Sequence, residues 1–173
     1  HAFLFEAAAA IREQFPNMRL LLLGQGELNG ALRRQAADLG IADIVRFAGF
    51  RQDMPYCTQA FDVGVLPSID CDTSSFSLKE EMAAEKPIIA SDYGGLKEII
   101  DDGVEGLVVP AGTVAPLAEA LGRLIGDPAL RAAMGKRGRE RVLAEFSVQT
   151  FAAKTLDAYR RALEIHRERT ASR

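Results

Sequence analysis

Asp72-Thr73-Ser74-Ser75-Phe76-Ser77-Leu78-Lys79-Glu80-Glu81-Met82-Ala83-Ala84-Glu85-Lys86-Pro87-Ile88-Ile89-Ala90-Ser91 runs from an acid through small hydroxyl residues to a second acid, then through a helix-like run into an apolar strand. Small residues before a helix let backbone N–H groups approach a phosphate, and the helix N-terminus there attracts negative charge. A carboxylate one turn into the helix can accept hydrogen bonds from hydroxyl groups. The loop–helix–strand order is one unit of an alternating α/β chain.

Working outward, the same alternation fills the sequence. Residues 2–15 carry Leu4, Ala7, Ala8, Ile11 and Phe15 at helical spacing. Residues 18–23 are a continuous apolar run closed by Gly24-Gln25-Gly26, which predicts a buried strand and a tight turn. A helix over 28–39 is stopped by Gly40, and short strands are expected at 44–47, 61–66, 87–90 and 106–109. Gly94-Gly95 is expected to open a helix through Ile100. Residues 114–125, 128–145 and 148–166 read as helices, with Asp127-Pro128 and Phe146-Ser147 as the breaks and 168–173 as a frayed end.

Short apolar strands alternating with helices imply a parallel sheet of about five strands with helices on both faces, a Rossmann-like α/β architecture. Such sheets bind ligands beyond the carboxyl ends of their strands. The loops at 24–26, 67–74 and 91–95 all belong there. The chain of 173 residues suits one domain, spanning 1–173.

A hydrophobic share of 48% with 26% charged residues describes an ordinary globular chain, and no apolar run approaches the length of a membrane span. The net charge of -3 argues against a nucleic-acid binder. Cys57 and Cys71 have neither redox-pair nor metal-ligand spacing, and His1 and His166 stand at opposite ends, so no metal site is expected. The start shows no signal-peptide pattern, and the expected location is the cytoplasm or the inner membrane surface.

The stretch from Asp72 to Ser91 resembles the donor-sugar motif of retaining GT-B glycosyltransferases of carbohydrate family four: an acid, seven residues, a second acid, then Ala-Met-Ala-x-Gly-x-Pro-Val-x-Ala-Ser. Here the acids are Asp72 and Glu80, Asp stands for the usual first Glu, and Glu85 stands for the usual Gly. "LLLLGQGEL", "VRFAGFRQDMPYCTQAFDVGVLPS" and "DYGGLKEIIDDGVEGLVVP" are similar to further segments of that family, in the same order, so the likeness covers nearly the whole chain. It implies the C-terminal, nucleotide-sugar-binding half of a GT-B fold. It also implies a first, central strand and an Arg/Lys segment ahead of His1. The expectation is therefore a sheet lacking its first strand, completed by an N-terminal domain or another chain.

The resemblance assigns roles residue by residue, and each has a plainer alternative. Glu80 would accept from the donor ribose, or form a capping box with Ser77. Asp72 would contact the transferred sugar, or be a solvated loop acid or N-cap. Ser74, Ser75 and Phe76 would offer backbone N–H groups to the distal phosphate, or start the helix. Gly24 and Gly26 would admit the nucleotide closely, or only turn the chain. Phe50 and Arg51 would lie beside the base, or on the plain surface. Lys79 reads as a solvated or ion-paired lysine. Lys136, Arg137, Arg139 and Arg141 read as a solvated face, with contact to an anionic membrane as the other reading.

The implied reaction moves a sugar from a nucleoside diphosphate to an acceptor hydroxyl, with the diphosphate sugar as substrate and no cofactor. The isolated chain is expected to be inactive. A non-catalytic nucleotide-sugar module is the rival from another class, and a sugar-nucleotide epimerase ranks behind it. The last helix, 146–173, is expected to pack toward the N-terminal domain. Its apolar residues Phe151, Leu156, Tyr159 and Leu163 would otherwise favour self-association as a homo-oligomer.

Overall fold

Strands form on the short apolar runs, fully buried at Ile88–Ser91 and partly exposed at Leu20–Leu23 and Val45–Gly49. The computed structural model, which describes residues 1–70 and 74–171, places them at Leu20–Leu23 (β1), Val45–Gly49 (β2), Gly64–Leu66 (β3), Ile88–Ser91 (β4) and Gly106–Val109 (β5). Between them run helices Ala2–Ile11 (α1), Asn29–Asp38 (α2), Met54–Gln59 (α3) and Phe76–Ala83 (α4), with Val114–Gly126 (α5), Pro128–Glu145 (α6) and Val148–Ala171 (α7) following β5. Residues His1–Arg139 and Glu140–Arg173 make two compact units.

Every strand pairing is parallel, as the helical crossovers require. The strands form two ladders, β1–β2 and β3–β4–β5. Leu20 stands opposite Val45 and Leu22 opposite Phe47, then the register slips so that Leu23 meets Gly49. Among the described residues, β1 and β3 are each paired along one edge only.

One core nevertheless serves both ladders. Phe5 of α1, Leu20, Val45, Ile89 of β4, Val109 and Leu124 of α5 belong to a single buried cluster, with Val65 of β3 packed against it. Each such side chain contributes about 1.5–3 kcal/mol by leaving water. β4 is buried at every position. Ile89 faces the α1–α5 cluster, while α4, carrying the fully buried Leu78 and Met82, packs on β3 and β4. Helices thus cover both faces, and the alternation along β4 divides its side chains between them.

Several boundaries differ from the sequence expectation, among them the start of β3, at Gly64 and not 61. α1 ends at Ile11, not at 15, and the chain runs on as a turn in which the Phe15 amide donates to the Ile11 carbonyl at 3.1 Å. The segment after Gly94-Gly95 makes only a 3-10 turn, Leu96–Glu98, after which Ile99 and Ile100 are both buried; two adjacent buried residues do not suit a continuing surface helix. The final helix continues through 168–170 to Ala171, and Thr170 Oγ1 donates to the His166 carbonyl at 3.0 Å.

Candidate functional site

Parallel pairing brings the carboxyl ends of neighbouring strands, and the loops beyond them, to one edge of each ladder. Hydrogen bonds join these loops in pairs. The Gly24 amide donates to the Gly49 carbonyl at 2.8 Å, linking the loop after β1 to the last residue of β2. The Ser91 hydroxyl donates to the Ser68 carbonyl at 2.5 Å, linking the last residue of β4 to the loop after β3.

The start of α4 is the most developed feature there. Ser75 is its N-cap, with extended backbone, and its Oγ accepts from the Leu78 amide at 3.3 Å while lying 2.9 Å from the Ser77 hydroxyl. The amides of Phe76 and Ser77 belong to the first turn and have no intrahelical acceptor. With Ser75 at the cap, Ser77 and Glu80 are two and five positions into the helix. The capping-box alternative for Glu80 is therefore overturned, since that arrangement needs its serine at the cap itself. Glu80 is exposed and has no hydrogen-bond or ion-pair partner among the described residues. It lies four positions beyond Phe76, on the same side of the helix and one turn deeper.

The hydroxyl of Ser74 accepts from Lys79 Nζ at 2.6 Å, and that ammonium also lies 5.5 Å from the centre of the Phe76 ring. Lys79, read from sequence as a solvated or ion-paired lysine, folds back over the start of α4. Phe76 is 78% exposed, which leaves one ring face for another group. Asp72 lies outside the described residues.

Gly24 adopts φ 112°, and a side chain at Gly24 or Gly26 would meet open space. Phe50 is 67% exposed in the adjoining loop. Arg51 is held by a residue the sequence reading passed over: its Nε and Nη2 donate to Asp53 at 2.8 and 2.6 Å. That pairing raises the guanidinium pKa and lowers that of the Asp53 carboxyl, in each case chiefly through the hydrogen bonds. The two-residue spacing of Arg51 and Asp53 was the available signal.

Glu81 was also missed. Its carboxylate rests on the bare Cα of Gly64, where any Cβ would collide with it. Burial, then the neighbouring Glu80 charge, pushes its pKa up to about 7. Nothing in the sequence marks it beyond being the second of two adjacent acids. Of the basic cluster, Arg137 Nε donates to the Val104 carbonyl at 2.9 Å and Arg139 Nη1 to the Ala83 carbonyl at 2.6 Å. Both side chains stay exposed while making these bonds, as a solvated face requires.

Residues 1–141 match the sequence profile of the family described as glycosyl transferases group 1. The lipopolysaccharide core biosynthesis glycosyltransferase LpsE of Rhizobium meliloti is 33% identical over 144 residues, which is 83% of this chain and 41% of LpsE. The GDP-mannose-dependent alpha-(1-6)-phosphatidylinositol monomannoside mannosyltransferase of Mycobacterium tuberculosis is 33% identical over 165 residues, 91% of this chain and 43% of that protein. The crystal structure of Anabaena HepE in complex with UDP superposes with a TM-score of 0.82 at 26% identity, over 90% of this chain and 44% of HepE. The chain spans less than half the length of these curated relatives.

Proposed function

The chain belongs to the glycosyl transferases group 1 family, and from that membership we propose that it is the donor-binding half of a retaining glycosyltransferase. Its substrate is a nucleoside diphosphate sugar, whose sugar passes to an acceptor hydroxyl. One observation carries the reading. The Ser75-capped start of α4 offers amides without an intrahelical acceptor at the loop edge, with the exposed Glu80 carboxylate one turn further in.

In this arrangement the first-turn amides and the α4 dipole receive the distal phosphate, where negative charge builds as the glycosidic bond breaks. Lys79, already poised over Ser74, adds a positive charge there. Glu80 accepts from the ribose hydroxyls and Asp72 from those of the transferred sugar. Gly24 and Gly26 let the backbone approach the nucleotide, and the exposed Phe50 flanks the base, with Arg51 beside it. The reading needs no cofactor beyond the substrate.

The broken sheet supports a further element of the reading. A parallel strand added between β1 and β3 would join the two ladders into one sheet. The segment bearing that strand, together with an acceptor-binding half, completes the enzyme. HepE and the two bacterial transferases, each more than twice as long as their matched regions, are consistent with such a second half. The 173 residues alone bind donor weakly and do not transfer sugar, at the cytoplasmic side of the cell. A non-catalytic nucleotide-sugar module would share the same donor contacts without acceptor chemistry; sugar transfer by the longer protein separates the two.

The test is calorimetric titration of this chain with UDP-, GDP- and ADP-sugars beside Glu80→Ala. Binding of one base class, lost in Glu80→Ala, supports the donor site and identifies the nucleotide. Equal binding by both proteins removes Glu80 from the site and the reading with it.

A further inference from the structure

α4 carries two adjacent acids that the fold treats differently. Glu80 is exposed. Glu81, turned about 100° from it, joins the side of the helix that bears the fully buried Leu78 and Met82. Its Oε2 fills the place that a Cβ of Gly64 on β3 would need, and Ile88 Cδ1 of β4 borders the same space. The carboxyl has no hydrogen-bond or ion-pair partner among the described residues.

The surrounding elements offer it no counter-ion. β3 and β4, on which α4 packs, carry no charged residue, and Tyr56 and Cys57 are the titratable groups of α3. Lys86, just beyond α4, donates from Nζ to the Gln59 carbonyl at 2.9 Å. From α6, whose Gly138 lies against Met82, Arg139 turns to the Ala83 carbonyl and to Glu85, Arg137 turns to the Val104 carbonyl, and Lys136 is exposed. Glu81 also stands toward the C-terminal end of the helix, where the dipole opposes a negative charge. Burial and the Glu80 charge together place its titration at about 7.

The other end of this helix is the donor site. A rise of about 1.5 Å per residue puts Glu81 roughly 6–8 Å along the axis from the amides of Phe76 and Ser77, within a Debye length of about 8–10 Å. A diphosphate at those amides adds negative charge, and ribose hydroxyls donating to Glu80 hold that neighbour ionised. Both disfavour a second carboxylate at Glu81.

We propose that Glu81 is a proton-linked positioning residue of the donor site: α4 receives the nucleoside diphosphate while Glu81 rests on Gly64 as the neutral acid, and loss of its proton weakens donor binding. This inference rests on the donor reading of α4. Linkage is reciprocal, so whatever factor the donor adds to proton affinity, the proton adds to donor affinity. Affinity is greatest below pH 7 and falls as pH rises above it, until the bound form has also released its proton.

The experiment is calorimetric titration of this chain and of Glu81→Gln with UDP-glucose, GDP-mannose and ADP-glucose, between about pH 6 and pH 8.5. The diphosphate of these probes has no free terminal phosphate, whose second pKa of about 6 would confuse the profile. The parent is expected to bind its donor at least about threefold more weakly at the upper pH. Repetition in phosphate and in Tris, which differ in ionisation enthalpy, is expected to show uptake of about half a proton near neutrality. Glu81→Gln, which keeps the shape of the side chain, is expected to give a flat profile and no uptake, with circular dichroism confirming its fold. Donor binding by the parent that ignores pH overturns the inference and leaves the donor site standing. A pH dependence that persists in Glu81→Gln also overturns it and assigns the proton elsewhere, as to the amino group of His1, whose pKa burial lowers. Absence of binding by either protein at every pH removes the donor reading, and the inference with it.

Discussion

Gly135 of α6 lies directly against the carbonyl oxygen of Glu85: a Cβ at Gly135 would run into that backbone atom. Glu85 itself sits at φ 59°, the only non-glycine residue with positive φ among the described residues. The chain therefore bears two unusual local demands at one contact, between the end of α4 and the middle of α6.

Gly135→Ala should destabilise the chain by about 1–3 kcal/mol, because a backbone carbonyl cannot swing aside as a side chain can. Urea unfolding of the variant should show a lower midpoint. An unchanged midpoint would mean that α6 slides without penalty.

Glu85→Gly should act in the opposite direction. The left-handed conformation costs a residue with a Cβ about 1–2 kcal/mol, partly offset by the greater freedom of glycine in the unfolded chain. The Arg139–Glu85 ion pair, 3.6 Å apart and exposed on both sides, contributes little against that. The expected outcome is a modest rise in urea midpoint, and a fall would show that the pair outweighs the backbone strain.

Stability should decline as pH rises from about 4.5 to 7. The pKa of Glu81 is raised to about 7 from an ordinary 4.5, so across that window the folded chain holds a proton that the unfolded chain has released. Stability associated with that proton is fully present below pH 4.5 and lost as pH passes 7. Glu81→Gln should flatten this part of the profile and stabilise the chain by about 2 kcal/mol at pH 8. The measurement is the urea midpoint at a series of pH values, and a profile unchanged by Glu81→Gln would remove Glu81 as its cause.

Ser75→Ala and Glu80→Ala should separate stability from ligand binding. Loss of the Ser75 cap should cost about 1 kcal/mol. Glu80, exposed and without a side-chain partner among the described residues, should leave the urea midpoint within about 0.5 kcal/mol of the parent while removing donor binding. Should Glu80→Ala unfold more readily than Ser75→Ala, Glu80 would be a structural residue.

Asp53→Asn frees Arg51 from an exposed pair. The thermal midpoint should stay where it is, and affinity for an anionic nucleotide sugar should rise as one negative charge leaves the loop. Calorimetry on the two proteins would show it, and weaker binding by Asp53→Asn would mean that Asp53 orients Arg51 for the ligand.

Much of this was legible in the chain itself. The apolar run 20–23 and the run into Ser91 both became strands, although only 88–91 is buried at every position and Leu21 of 20–23 is exposed; their alternation with helical periods favours parallel pairing. The small residues and spaced acids of 72–80 marked the candidate loop, because phosphate approach and hydroxyl recognition would use such side chains at that distance. What the sequence could not settle was where the helix of that loop begins. Ser75 and Ser77 are equally good caps by chemistry, and only the packing of buried Leu78 and Met82 on β3 and β4 chose Ser75, which released Glu80 from a capping role. Sequence could not pair Arg51 with Asp53 or set Glu81 on Gly64 either. Local pattern records which residues can be buried or can bind charge. Which groups then meet, and how far a carboxyl is drawn from water, depends on contacts between segments distant in the chain, and these exist only once the tertiary structure has formed.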